Sequence, residues 1–149
     1  MVMQAGCPLC TGEEARLLWR DALCRVVAVD DPALPGFLRV VLNTHASEVS
    51  DLAIAEQAHL MRVVLATERL VRRHLSPDKV NLASLGNVVP HVHWHVIPRW
   101  RDDRWFPDPI WATPRHAQPA PAERQRLADE LIEGFSRALR EALAERDPA

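Results

Sequence analysis

Three histidines occupy alternate positions in the run His91-Val92-His93-Trp94-His95-Val96-Ile97. In an extended chain, side chains two residues apart share a face and stand roughly 6.6 Å apart, so the run predicts a strand with its three imidazoles in one row. A row of that size lines one small anionic group. Like charges so close together oppose each other's protonation, so at least one ring is expected to be neutral near neutral pH. If a backbone carbonyl or a second histidine accepts one ring N–H, the other nitrogen keeps its lone pair, which suits attack on phosphorus. The remaining rings can then donate to phosphoryl oxygens and assist a leaving group.

A second set of reactive side chains lies at the front of the chain, where Cys7-Pro8-Leu9-Cys10 forms a Cys-x-x-Cys pair. By itself the pair is compatible with metal binding, with redox chemistry or with two unrelated reduced thiols. The third cysteine, Cys24, falls in an apolar run and reads as a small buried thiol. An odd set of three disfavours a full disulfide framework. Of 18 basic residues only Lys79 is a lysine, which excludes a phosphate loop of the Gly-Lys-Ser/Thr kind.

These groups need elements to hold them. Leu23 to Val29 is short and β-branched and closes on Asp30-Asp31-Pro32, so it predicts a strand. Beyond Leu34-Pro35-Gly36, the run from Phe37 to Leu42 predicts its antiparallel neighbour, ending at Asn43-Thr44-His45. From about Ala53 to His74, Met61, Val64, Leu65 and Val71 recur at helical spacing, with Ser50 and Asp51 as candidate caps. Ser76-Pro77-Asp78 ends that helix, Val80 to Leu85 predicts a third strand, and Gly86-Asn87 supplies a turn before the histidine run. That run stops at Pro98, which lacks the N–H of a central ladder. Residues 99–121 carry three tryptophans and five prolines and predict an ordered irregular loop. Ala122 to Glu145, with Leu127, Leu131, Phe135 and Leu139 in phase, predicts a second long helix.

The histidine run fits the His-φ-His-φ-His-φ-φ signature, with φ apolar, and resembles the histidine-triad (HIT) superfamily of nucleotide hydrolases and transferases. Asn81, the Gly86-Asn87 turn, Pro98-Arg99 and the front Cys-x-x-Cys resemble a bacterial branch of it, over roughly residues 7 to 111. The resemblance implies an α+β, HIT-like fold with an antiparallel sheet of about five strands and two main helices. It implies that His93 attacks an α-phosphate to form a covalent nucleotidyl-histidine, while His95 meets phosphate oxygens or the leaving group. Asp30 then stands where a ribose-contacting acid is often found, Asn87 where a polar side chain touches phosphate, and Arg99 follows as a further substrate contact. With Cys7 and Cys10, His45 and His91 would complete a tetrahedral Cys₂His₂ site, a structural zinc in that branch. Val88 departs from the pattern, standing where a Ser or Thr frequently donates to phosphate.

Composition narrows the class further. A chain of 149 residues, 48% hydrophobic, is expected to be one domain, and a net charge of −2 argues against a general grip on nucleic-acid polymers or anionic membranes. No apolar run approaches the roughly 18 residues of a membrane helix, and Met1 to Gly6 lacks signal-peptide character, so a cytoplasmic setting is expected. The sequence is expected to encode a homodimeric nucleotide hydrolase or transferase needing no catalytic metal, with a dinucleoside polyphosphate, nucleoside phosphoramidate or adenylated conjugate as substrate. The rivals are a metal-dependent hydrolase using the triad as ligands and a nucleotide-binding adaptor without turnover. Trp94, opposite the histidines by alternation, is assigned to packing. Trp100, Trp105 and Trp111 are candidates to cover the site, and Arg101 and Arg104 to steer a phosphate tail. His59, His74 and His116 read as surface or helix-end residues.

Overall fold

The computed structural model describes residues 3–12 and 16–145. In chain order these form α1 (Pro8–Thr11), β1 (Arg16–Arg20), β2 (Cys24–Ala28), β3 (Leu38–Leu42), a single 3₁₀ turn (Val49–Asp51), α2 (Ile54–Leu75), β4 (Lys79–Ala83), β5 (His93–Arg99) and α3 (Ala122–Ala144). The strands make one sheet in the order β1-β2-β3-β5-β4, with every pairing antiparallel. The expected α+β fold with five antiparallel strands and two long helices is present.

Strict alternation decides which side chains go where. Leu38, Val40 and Leu42 of β3 and Val96 of β5 enter one buried cluster with Leu60, Val64 and Val71 of α2 and Leu131, Phe135 and Leu139 of α3. Trp94 packs against this cluster, as its position opposite the histidines predicts. The intervening residues Arg39, Val41, His93, His95 and Ile97 therefore share the face away from the helices. Each large apolar side chain buried on the helix side contributes about 1.5–3 kcal/mol, and a one-residue slip would reverse every side chain of the strand, so the register is strongly enforced.

The structure corrects several expected boundaries. The histidine strand begins at His93 and runs through Pro98 to Arg99, so His91 precedes it. Pro98 is tolerated because it lies beyond the last β3 pair, Leu38 opposite Val96, and pairs only with Val80 of β4. The third strand, expected to reach Leu85, ends at Ala83. Strand β1 and the short α1 carry no expectation from the sequence: β1 is an edge strand with only Trp19 buried and a bulge between Leu17 and Trp19, so its alternation is weak. Helix α2 starts after Ala53 rather than on Ser50 or Asp51. The Glu56 carboxylate accepts the Ala53 N–H at 2.9 Å, while Asp51 accepts the Glu48 N–H within the preceding turn.

Two further contacts tie the layers together. Gly36 adopts φ +80 between β2 and β3, where an added methyl would collide with Leu75 at the end of α2. Asp21 caps the β1–β2 turn through the Leu23 and Cys24 N–H groups, both at 2.8 Å, and its second oxygen lies 2.6 Å from His59 Nε2 on α2. His59, read from sequence as a surface residue, thus clasps the hairpin to the helix. Cys24 is fully buried, as expected, and burial followed by the Asp21 charge pushes its thiol up to about 12, so it stays protonated.

Candidate active site

His93 and His95 stand on the open face of β5, an interior strand between β3 and β4, with ring centroids 4.9 Å apart in an edge-to-face arrangement. Both line a cavity of about 440 Å³, walled by Leu9 of α1, Arg39 of β3, Asn87 and its neighbours in the β4–β5 loop, and Trp111 of the proline-rich segment. The wall is mostly apolar with a few polar groups in it, as in small-molecule sites generally.

His93 has a defined tautomer. Its Nδ1 donates to the His91 backbone carbonyl at 2.6 Å, and no described residue is recorded as a partner of its Nε2. Burial lowers its pKa, the carbonyl bond opposes that shift, and the Arg39 charge adds to it. The result is a neutral ring whose Nε2 keeps its lone pair. Burial, followed by the charges of His93 and Arg39, pushes His95 down to about 4. Among the described residues, nothing bonds its buried Nδ1. The Trp111 ring meets His95 edge-on at 5.1 Å, so of the three candidate covering tryptophans this one reaches the site.

The third histidine leaves the row. His91 is 1% exposed and turns away from the cavity toward the front of the chain. Its Nε2 donates to the Leu42 carbonyl at 2.8 Å, which directs the lone pair of Nδ1 toward two thiols. That nitrogen lies 3.5 Å from both Cys7 Sγ and Cys10 Sγ, and Cys10 Sγ lies 3.5 Å from His45 Nδ1. All four ligand atoms fall within 4.8 Å of one another. Zinc bonds of standard length in a tetrahedron place sulfur and nitrogen ligands about 3.6 Å apart, so these separations fit one ion held by two thiolates and two imidazoles. The four residues expected as ligands are thus brought together.

Sequence reasoning missed the residue that anchors this cluster to the sheet. Arg25 of β2, 5% exposed, donates to the Leu9 carbonyl in α1 and, at 3.1 Å, to the Leu42 carbonyl that His91 also uses. Burial raises the Cys10 thiol overall, while the positive charge of Arg25 opposes that shift. The available signal was a lone arginine in the otherwise apolar run of β2.

Two expected substrate contacts lie elsewhere. Arg99 is 1% exposed and its donors are consumed internally. Nε and Nη2 grip Asp103 at 2.6 and 3.0 Å, Nη1 reaches Asn81 at 2.7 Å, and Nη2 also reaches the Asp108 carbonyl at 2.9 Å. Burial alone would raise the Asp103 carboxyl, but Arg99 and the Trp105 and Phe106 N–H groups outweigh it and hold the pKa below the usual range. Arg99 therefore organises the loop and does not line the cavity. Asp30 is exposed and borders a separate depression with Arg16, Gly36 and Gln125. Asn87 does line the triad cavity. Arg101 pairs with Asp78, and Arg104 lies over Trp105, so neither faces it.

The second converging group of metal-ligand types among the described residues is Asp21, Cys24 and His59, and neither group contains His93 or His95.

Comparison with known proteins gives consistent matches. The model of the HIT domain family matches residues 11–102. An AP-4-A phosphorylase of Mycobacterium tuberculosis is 31% identical over 105 residues, covering 66% of this chain and 54% of that protein. A bis(5'-adenosyl)-triphosphatase of Saccharomyces cerevisiae is 30% identical over 76 residues, 47% of this chain and 37% of that one. The chain therefore spans about half, or less, of the length of these curated relatives. Among solved structures, a histidine triad protein from Bradyrhizobium japonicum superposes with a TM-score of 0.67 at 28% identity, covering 89% of this chain and 93% of that one. A histidine triad protein from Marinobacter aquaeolei shares the fold at a TM-score of 0.73 and 24% identity, over 95% of this chain and 99% of its own.

Proposed function

Since this chain belongs to the HIT domain family, we propose that it is a nucleotide hydrolase or transferase in which His93 attacks the α-phosphate of a nucleotide. The observation that carries the reading is the 2.6 Å bond from His93 Nδ1 to the His91 carbonyl. It leaves Nε2 as the reactive nitrogen, and it strengthens as the ring gains positive charge on bonding phosphorus, which is differential stabilisation of the transition state. In the first step the Nε2–P bond forms and the bond from phosphorus to the leaving group breaks. In the second, water or another acceptor displaces Nε2 and the ring returns to its starting state. His95 offers its N–H to phosphoryl oxygens, Asn87 adds a neutral donor, and Trp111 covers the site.

The M. tuberculosis and yeast relatives are named for cleaving dinucleoside polyphosphates, which supports that substrate class over the other two. We propose zinc for the Cys7, Cys10, His45 and His91 cluster, whose two sulfur and two nitrogen donors suit that ion. With all four ligands from protein its role is structural, so the chemistry falls to His93 and His95. The homodimer belongs to the same reading, and light scattering checks it.

The test is a turnover screen over dinucleoside polyphosphates and nucleoside phosphoramidates with wild type and His93→Asn. Wild type should accumulate an acid-labile nucleotidyl adduct under rapid quench. The variant should lose the adduct and at least about 10³-fold in kcat/KM, the scale expected for removing a nucleophile. Turnover surviving in His93→Asn overturns the covalent reading. Tight nucleotide binding by wild type with neither adduct nor turnover establishes the adaptor instead.

A further inference from the structure

We infer that Arg39 holds the departing phosphate chain of the substrate and thereby makes the site selective for polyphosphate leaving groups over amines. The inference rests on the reading of His93 as the nucleophile.

The placement comes from strand register. Arg39 on β3 is paired directly with His95 on β5, while Val41 is paired with His93. Directly opposed residues on one face of an antiparallel pair hold their Cβ atoms about 5 Å apart, so Arg39 stands beside His95, one pair along from the nucleophile. Its guanidinium carbon lies 5.6 Å from the centre of the Phe37 ring, and that ring lies 5.6 Å from the His95 ring. Arg39 lines the same cavity as His93 and His95.

Charge balance then assigns its role. Among the described residues that line the cavity, Arg39 alone carries a formal charge at neutral pH; the remainder are apolar side chains, a glycine, Asn87 and the two histidines. His95, with a pKa pushed down to about 4, supplies no positive charge there. A nucleotide phosphate chain brings several negative charges into this space. When the His93 Nε2–P bond forms, the electron pair of the breaking P–O bond passes to the bridging oxygen, and the leaving phosphate gains a full negative charge. A guanidinium beside that oxygen compensates the charge with no proton transfer, and its planar fork matches two phosphoryl oxygens at once. An amine leaving group requires a proton instead, which a neighbouring permanent cation does not provide. The sequence carries the signal faintly, as one charged residue inside the run from Phe37 to Leu42.

The test compares wild type, R39M and R39K on diadenosine tetraphosphate and adenosine 5'-phosphoramidate, with calorimetric affinities for ADP and AMP as a readout independent of turnover. R39M should lower kcat/KM on the polyphosphate by about 10²-fold and at least tenfold more than on the phosphoramidate, the scale of a lost charge-assisted bond. Its ADP affinity should fall about tenfold further than its AMP affinity. R39K, which keeps the charge without the fork, should recover part of both losses. Equal losses on both substrates with an unchanged ADP-to-AMP ratio overturn the inference. If wild type turns over neither substrate, the activity reading fails, while a selective drop in ADP affinity in R39M still upholds Arg39 as the phosphate holder.

Discussion

A buried imidazole is a store of pH dependence as well as a catalytic group. In an unfolded chain a histidine protonates near 6.5, whereas His95 in the fold does so only near 4, because burial disfavours its charged form. Between those values the unfolded chain binds more protons, so stability falls as pH drops through this window. His95 alone should contribute about 2 kcal/mol of that fall between pH 7 and pH 5. Urea unfolding at the two pH values checks it, and His95→Asn should show a correspondingly shallower pH dependence. If His95→Asn keeps the full dependence, the group responsible lies elsewhere. His91 performs two tasks at this scale: its ring faces the thiols of Cys7 and Cys10, and its carbonyl sets the tautomer of His93.

At the scale of elements, the short helix α1 has one turn and buries little beyond Cys7 and Leu9 against Val27 and Val41. So small an element is not stable by itself, since helix nucleation costs more than a single turn returns. Arg25, through the Leu9 carbonyl, and the Cys/His cluster are what hold it against the sheet. Two outcomes follow. Cys10→Ser should reduce bound zinc from about one ion per chain to near zero, measured by elemental analysis, because a structural site needs its full tetrahedral set. Chelation of the wild type should lower the melting temperature, with the loss of stability reaching several kcal/mol, as metal-ligand free energy is folding free energy. Melting that chelator leaves unchanged would remove the metal from the structural account.

Across the whole molecule, both long helices pack on one face of the sheet, and the opposite face is left to the site. Residues 100–121, which contain no helix or strand, bring Trp111 to the cavity on that face. Their shape is set by the buried Arg99–Asp103 pair, whose side chains are 2% and 5% exposed. Removing one partner of a buried pair strands the other charge, so Asp103→Asn should destabilise the protein by about 3–5 kcal/mol in chemical denaturation. The same change should reduce turnover by releasing Trp111 from His95, although Asp103 is outside the cavity. Unaltered stability in Asp103→Asn would show that the loop is held by its apolar contacts alone.

The local patterns were legible because they follow from periodicity. Alternation in residues 91–97 placed His93 and His95 on one face and Trp94 on the other, 3.6-residue spacing gave α2 and α3, and Cys-x-x-Cys marked the thiols. Contacts between distant segments were not legible in the same way. An arginine after a histidine strand reads as a phosphate ligand, and only packing shows Arg99 buried against Asp103 with its donors already engaged. Arg39 and Arg25 look like stray charges in apolar runs until the register sets one beside His95 and the other beneath the Leu9 carbonyl. Residue order by itself determined which faces and which chemical groups this protein has. The pairing of strands far apart in the chain decided which of those groups meet, because a side chain's partners depend on through-space distance, which sequence separation does not encode.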